Sequence, residues 1–189
     1  MASRSDWLKI PWRRADRRRH DPYWDFFINT PPADRANTVL DVIRKAPAGN
    51  VFPTRADLHS PEVTASHVKG MATYLGADLV GITRLDEDDA GHPFAVVCAV
   101  RADDDPRGAP GIGGQVPVQN GLFVTFVLSA WIRELGYRAS MTTSLDGAQL
   151  AVAAKLGTLD RNGKLVTPQY GTRVHVADVI RTDLPLTAA

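Results

Sequence analysis

The sequence predicts a mixed domain of helices and strands, an α/β or α+β sandwich. Segments with helical periodicity alternate with short apolar strands, the pattern of a sheet that is covered by helices. The chain has 189 residues, which is near the size of one domain. Of these residues, 44% are hydrophobic and 23% are charged, as is usual in a globular protein with a buried core.

Two helices are predicted in the first half of the domain. One covers about residues 33–45 and ends at the helix breakers of residues 46–50. The other begins at Ser60, whose hydroxyl can cap it, carries Pro61 in its first turn and ends at Gly76.

Two apolar segments, residues 79–83 and 94–100, are predicted to be strands. The second is apolar throughout, which indicates a strand that is buried on both faces. It contains Cys98, the only cysteine of the chain, and a thiol in such surroundings is expected to be inert. One cysteine cannot supply the four thiolates of an iron–sulfur cluster, so we expect the electrons for any redox reaction to come from another molecule.

The second half of the chain is predicted to begin with a long loop. Residues 102–117 contain four glycines, three prolines and three aspartates. A third helix over about residues 119–135 is followed by a strand at 137–142, a short helix at 147–156 and a strand at 173–181. The third helix is predicted to turn six apolar residues to the core: Leu122, Phe123, Phe126, Val127, Ala130 and Trp131.

Residues 1–32 are predicted to form a basic, aromatic arm outside the domain of residues 33–189. The first twenty residues carry seven Lys or Arg and two Asp, a local charge of +5 in a chain whose net charge is +1. Arg13-Arg14 is not followed by an apolar stretch, so export is not expected. Nucleic-acid binding is a less favoured interpretation than a docking role for the arm. The chain contains no run of 18 apolar residues, so no membrane span is expected.

Three segments, residues 68–82, 128–140 and 154–186, carry motifs in a fixed order. The third contains an Arg-Asn-Gly turn at 161–163, a Thr-Pro-Gln-Tyr-Gly turn at 167–171 and the sequence Thr-Asp-Leu-Pro-Leu at 182–186. In this order the segments resemble the corrinoid-binding domain of reductive dehalogenases and of the related epoxyqueuosine reductases. The resemblance implies a nitroreductase-like α+β fold that binds base-off cobalamin.

The same resemblance implies that residues 157–171 hold the corrinoid. Three glycines there would allow the backbone to approach a large flat ligand, and polar side chains would donate hydrogen bonds to it. Spacing alone favours a tight hairpin with an Asn-Gly turn, and the resemblance shifts the preference to a corrinoid site. The predicted cofactor-binding residues are Gly157, Arg161, Asn162, Gly163, Leu165, Thr167, Gln169, Tyr170 and Gly171.

No catalytic residue can be carried over from the family. Reductive dehalogenases place a proton-donating Tyr near the start of the helix that ends in Ile-Arg-x-Leu-Gly-Tyr. The corresponding residues here, Pro117–Gly121, contain no Tyr. Tyr170 is the weak candidate for the acid, and Tyr137 is another tyrosine that could replace the missing donor.

The histidines show no metal-ligand spacing, and no metal site is predicted on protein ligands alone. Asp57-Leu-His59 begins the Asp-x-His-x-x-Gly motif of another class of cobalamin proteins, but Glu62 stands where that motif has Gly. His59 is therefore expected to be a surface residue beside the helix cap.

The leading hypothesis is a cytoplasmic cobalamin-binding redox protein that works with a separate iron–sulfur or flavin reductase, a sister subunit or a second copy of itself. In the family a ferredoxin-like module with two cysteine-rich motifs follows, whereas this chain ends three residues after Leu186. The alternative is a non-catalytic cobalamin carrier or an interaction subunit with a degenerate pocket. A flavin-binding relative of the nitroreductases is less favoured, because the motifs are those of the corrinoid branch.

Overall fold

The computed structural model describes residues 49–85, 91–103 and 112–188, and also Leu40, Ile43, Arg44 and Ala46. Leu40, Ile43 and Arg44 are helical, as the predicted first helix requires at these positions. The predicted arm of residues 1–32 lies outside the described residues, so the arm and its boundary with the domain stay predictions.

The described residues form an α+β domain, which confirms the predicted fold class. The three helices of these ranges are α1 (Pro61–Tyr74), α2 (Ile112–Glu134) and α3 (Gly147–Ala153). The strands are β1 (Leu79–Arg84), β2 (Phe94–Arg101), β3 (Ala139–Thr142), β4 (Thr158–Leu159), β5 (Leu165–Val166), β6 (Val174–Val176) and β7 (Val179–Thr182).

Five of the strands form one antiparallel sheet in the order β1-β2-β7-β3, in which β6 also pairs with β2. Residues 94–96 of β2 pair with residues 180–182 of β7, and residues 99–101 of β2 pair with residues 174–176 of β6. Strands β4 and β5 form a separate hairpin.

Strand β2 is buried on both faces, as its apolar sequence predicts. Its residues Val96 and Cys98 contribute to a core cluster with α1 and α2. The alternating residues Val97 and Ala99 contribute to a second cluster with α3, β5 and β6. The sheet therefore separates two apolar layers. None of the described helices is long and apolar enough to cross a membrane.

Cys98 is fully buried in β2, and burial raises the pKa of its thiol to about 12. The thiolate, which is the nucleophilic form, is therefore scarce at neutral pH. This confirms the expectation of a packing role for Cys98.

The capping signals of α1 are confirmed. The Ser60 side chain accepts a hydrogen bond from the backbone N–H of Val63 at 3.5 Å, and Pro61 is the first helical residue. The helix ends at Tyr74, and Gly76 follows with a φ of +111°.

The prediction for α2 was wrong in two respects. The helix begins at Ile112, so the second part of the predicted 102–117 loop is helical and Pro117 lies inside the helix. The buried side also differs in part: Phe123 and Phe126 are 54% and 37% exposed, whereas Leu122 is buried and Trp131 packs against the first core cluster as predicted. The residues that face the core are Leu122, Val124, Thr125, Leu128, Ser129 and Ile132.

Two hydroxyl residues explain the shift of the buried face of α2. Thr125 donates to the backbone oxygens of the preceding turn, at 3.1 Å to Gly121, and Ser129 donates to the oxygen of Phe126 at 2.9 Å. Because these hydroxyls are bonded within the helix, they can be buried at little cost. The more apolar phenylalanines are left at the surface.

The predicted final strand is divided into β6 and β7 by Ala177 and Asp178. The backbone N–H of Ala177 donates to the oxygen of Cys98 at 2.9 Å, so the interruption stays attached to β2. The short helix α3 ends at Ala153, before the predicted end at Leu156.

We expect Gly136→Ala to destabilise the fold. Gly136 has a φ of +83°, and a Cβ there would lie 2.5 Å from the backbone oxygen of Thr54 and 2.7 Å from the Cα of Arg55. The free energy of unfolding, measured in urea, should fall by at least about 1–3 kcal/mol.

Gly70→Ala is the matched control, since Gly70 lies in α1 and no atom comes within 4 Å of the added Cβ. This substitution should raise the free energy of unfolding by about 0.5–1 kcal/mol, because alanine loses less backbone entropy in a helix. Equal effects of the two substitutions would contradict the packing described for Gly136.

Candidate functional site

The segment from Gly157 to Gly171 folds as a hairpin followed by a tight turn. Thr158 pairs with Val166 and Leu159 with Leu165, which forms the hairpin that Asn-Gly spacing favours. A second pair of backbone hydrogen bonds joins Thr167 and Gly171, at 3.0 and 2.9 Å. The hairpin interpretation is therefore confirmed, and the corrinoid site stays a prediction.

Asp160 holds the hairpin turn, and the sequence interpretation missed this residue. One oxygen of its carboxylate accepts hydrogen bonds from the backbone N–H groups of Asn162 and Lys164, both at 2.8 Å. Its own backbone oxygen accepts from Gly163 at 3.0 Å. An Asp two residues before Asn-Gly is a known turn signal that could have identified it.

Three of the predicted cofactor-binding residues have structural roles. Leu165 is fully buried in the second core cluster. The Thr167 hydroxyl is occupied, since it donates to the oxygen of Gly171 at 3.3 Å and accepts from the N–H of Tyr170 at 3.2 Å. Tyr170, the candidate acid, is half-buried and packs against the same cluster.

The three glycines of the segment are required for different reasons. A Cβ at Gly157 would collide with the backbone oxygen of Val166, so this glycine permits a close approach of the chain to itself. Gly163 and Gly171 have φ angles of +72° and +58°, and nothing lies within 4 Å of a Cβ added at either. At these two positions glycine is required by the backbone conformation of the turn, and not by crowding from neighbouring atoms.

The remaining predicted residues, Arg161, Asn162 and Gln169, are exposed on the two turns. Their guanidinium and amide groups can donate hydrogen bonds to a ligand at the surface. The two turns present these donors at the surface, while the interior residues of the segment fix the turns to the core. The segment does not enclose a ligand by itself within the described residues.

Cavities that are lined by described residues lie outside this segment. One of about 250 Å³ lies between α2 and β3, and one of about 210 Å³ lies at the start of α3; they share Thr142 and Thr143 as lining residues. An open groove of about 440 Å³ is lined by residues of α1 and by Trp131. None of the nine predicted cofactor-binding residues lines these three cavities.

Pro117–Gly121, the residues that the sequence resemblance matches to the family's Tyr region, lie in the first half of α2. This region packs against the strand region around β6, since a Cβ at Gly121 would be 3.0 Å from that of Ala177 and 3.2 Å from the His175 ring. The structure therefore gives this region a defined position, but the residues Pro117–Gly121 provide no acid there.

The sequence Thr-Asp-Leu-Pro-Leu at 182–186 has a structural role. The Thr182 hydroxyl donates to the oxygen of Arg138 at 2.7 Å, and the Asp183 carboxylate accepts from the backbone N–H of Arg138 at 2.6 Å. The Asp183 carboxylate also forms ion pairs with Arg138 and Arg55. Leu184 and Leu186 are buried in the first core cluster, so this motif attaches the end of β7 to β3 and to the core.

Within the described ranges, no group of three or more His, Cys, Asp or Glu side chains could hold a metal ion. His59 is exposed, as predicted, and its ring contacts that of His67 edge-on at 5.7 Å between centroids.

The sequence matches no model of a known protein family and no curated protein. The structure is similar to that of the catabolic reductive dehalogenase NpRdhA, with a TM-score of 0.63 and 31% identity over 75% of this chain and 22% of that chain. A reductive dehalogenase with a B12-dependent dehalogenation mechanism gives a TM-score of 0.60 at 31% identity, with the same two coverages. Epoxyqueuosine reductase from Bacillus subtilis gives 0.54 at 14% identity, over 67% of this chain and 47% of that one.

The chain therefore has a reductive-dehalogenase-like α+β fold. It spans about 22% of the length of the reductive dehalogenases that it matches.

We expect Asp160→Ala to loosen the hairpin turn, because two backbone N–H groups lose their shared acceptor. The cost should be about 1–3 kcal/mol, and it should appear as faster amide hydrogen exchange at Asn162 and Lys164. Asn162→Ala is the control, because the Asn162 side chain is exposed and should leave the exchange rate at Lys164 unchanged. Similar exchange rates in the two variants would contradict the role of Asp160.

Proposed function

We propose that this chain is the corrinoid-binding domain of a redox protein of the reductive-dehalogenase type. The observation that carries this proposal is the fold similarity at 31% identity over 75% of the chain. The three motif segments support it, because they all lie within one folded domain. Residues 68–82 cover the end of α1 and β1, residues 128–140 cover the end of α2 and the start of β3, and residues 154–186 extend from the end of α3 past β7.

In the proposed site the two exposed turns contact the corrinoid. Arg161, Asn162 and Gln169 donate hydrogen bonds to its amide side chains and nucleotide tail, and Gly163 and Gly171 leave space for its approach. When bound, the corrinoid would supply the reductive chemistry of low-valent cobalt. The role of this chain would be to bind and orient the corrinoid. Asp160 and Thr167 hold the two turns in place.

We propose that electrons come from a separate iron–sulfur or flavin protein, or from a sister subunit. The single thiol of the chain, Cys98, is fully buried in the central strand, and a raised pKa keeps it protonated. It is therefore unsuited to cluster ligation or thiol redox chemistry. The basic, aromatic arm of residues 1–32 is the proposed docking element for this partner.

A second candidate function is a cobalamin carrier without catalysis of its own. Two observations favour it: residues 117–121 contain no Tyr, and Tyr170 packs against the core. A carrier needs the binding surface and no proton donor. Both candidate functions require cobalamin binding, but only the first includes turnover of a substrate.

Cobalamin binding is the first test of the proposal. Titration of cobalamin with the folded chain should shift its visible spectrum toward the base-off form. Asn162→Ala should weaken the affinity about three- to tenfold, since one hydrogen bond contributes about 0.5–1.5 kcal/mol. Asn50→Ala, which removes an exposed amide of the same type before α1, is the control and should bind as the unsubstituted chain does. An unchanged spectrum at protein concentrations well above micromolar would refute both candidate functions.

Turnover distinguishes the enzyme from the carrier. With bound cobalamin and a haloaromatic substrate, we expect halide release only when a flavin or iron–sulfur reductase is added together with its electron donor. Release without the reductase would contradict the proposed partner. Binding of cobalamin with no release under either condition would support the carrier.

A further inference from the structure

The 250 Å³ cavity between α2 and β3 contains a guanidinium that has no paired carboxylate. Arg133 projects from α2, and its Nη1 donates to the Ser129 hydroxyl at 3.3 Å and to the backbone oxygen of Ala139 at 3.0 Å. Both acceptors are neutral. Among the described residues, no carboxylate forms an ion pair with Arg133.

The cavity contains a second guanidinium, and that one is neutralised. Arg44 donates to both oxygens of Asp178, at 2.9 and 2.7 Å. Arg133 is half-buried; burial lowers the pKa of its guanidinium, and the charge of the adjacent exposed Glu134 opposes that shift. The guanidinium stays charged at neutral pH because its ordinary pKa is so high. The cavity therefore has an excess of positive charge.

One side of the Arg133 guanidinium is kept free of side chains by a glycine. A Cβ at Gly49 would lie 3.1 Å from Nε and 3.2 Å from Nη2. These two nitrogens form the edge that binds carboxylates in a bidentate manner, and they donate none of the hydrogen bonds described for Arg133. Nη1 is thus occupied, whereas Nε and Nη2 donate no hydrogen bond among the described residues and have Gly49, which carries no side chain, as their neighbour.

The other walls of the cavity suit an organic acid. Phe126 contributes a partly exposed ring, and Met141 contributes its thioether. The Ser140 hydroxyl accepts from Nε of Arg181 at 2.9 Å, so its own proton can be donated to a ligand. The volume of about 250 Å³ lies below the range of roughly 300–1,000 Å³ that holds drug-sized ligands, so it suits a small molecule.

We propose that this cavity binds a small organic carboxylate through the Nε–Nη2 edge of Arg133. Ser140 would donate a hydrogen bond to the carboxylate, and the apolar part of the ligand would lie against Phe126 and Met141. The site shares no residue with the exposed turns of residues 157–171, so it stands independently of the proposed corrinoid function.

Binding of benzoate to the full chain, measured by titration calorimetry, tests this site, and benzamide is the uncharged probe of similar shape. Benzoate should bind at least about tenfold more tightly than benzamide, because hydrogen bonds between charged groups are the stronger ones. Gly49→Ala should weaken benzoate binding by a similar factor, because its methyl group would cover the Nε–Nη2 edge. No left-handed backbone conformation is involved at Gly49, so this variant should fold.

Two further variants separate local geometry from overall charge. Arg133→Lys keeps the charge but lacks the planar edge, and it should weaken benzoate binding several-fold. Arg173→Gln removes a positive charge at an exposed position outside the cavity, and it should leave the affinity unchanged. Equal affinities for benzoate and benzamide, or no loss of benzoate binding in a folded Gly49→Ala protein, would overturn the proposal.

Discussion

The burial of β2 on both faces is the constraint on which the rest of the described structure depends. Its residues from Phe94 to Val100 are buried, and they alternate between the core under α1 and α2 and the core under α3 and the hairpin. Strands β1, β6 and β7 pair directly with β2, and β3 joins the sheet through β7. Because each of these side chains is buried in one layer or the other, a polar residue at the centre of β2 would be buried without a partner whichever face it occupied.

The motifs that resemble reductive dehalogenases mostly have structural roles. Thr182 and Asp183 bind the backbone of Arg138, Gly157 permits the approach of Val166, and Leu165 fills the second core. These residues fix the positions of the turns. The exposed turn residues are the ones that can contact a ligand. The similarity to reductive dehalogenases is therefore evidence for the fold, and the proposed cofactor binding depends on the few exposed donors.

Sequence patterns predicted the elements that have one dominant local cause. The apolar run of β2, the Ser60 cap and the Gly76 helix end each act within a few residues, and the structure confirms them. The buried face of α2 could not be predicted in this way, because the helix is apolar on several sides and its hydroxyl residues are bonded within the helix.

The residues of the Arg133 cavity were not predicted for a related reason. Gly49, Ser140 and Arg133 come from separate parts of the chain, and only the tertiary fold places them around one space. The spacing of Ser129 and Arg133, four residues apart on a helix, was the one local signal, and it predicts a contact without predicting a ligand.

The two candidate sites differ in how binding is linked to stability. At the hairpin, Asp160 and Thr167 hold the turns, while the donors Arg161 and Asn162 project from them, so a donor can be changed without loosening the fold. At the cavity, one guanidinium would serve both purposes, since Nη1 of Arg133 donates to the backbone oxygen of Ala139 and the Nε–Nη2 edge is the one proposed to bind the ligand. A half-buried charge with neutral partners weakens the folded state, and a bound anion offsets that cost. A ligand at either site would stabilise the folded state, and at the proposed cavity site an anion would also offset the cost of the half-buried charge of Arg133.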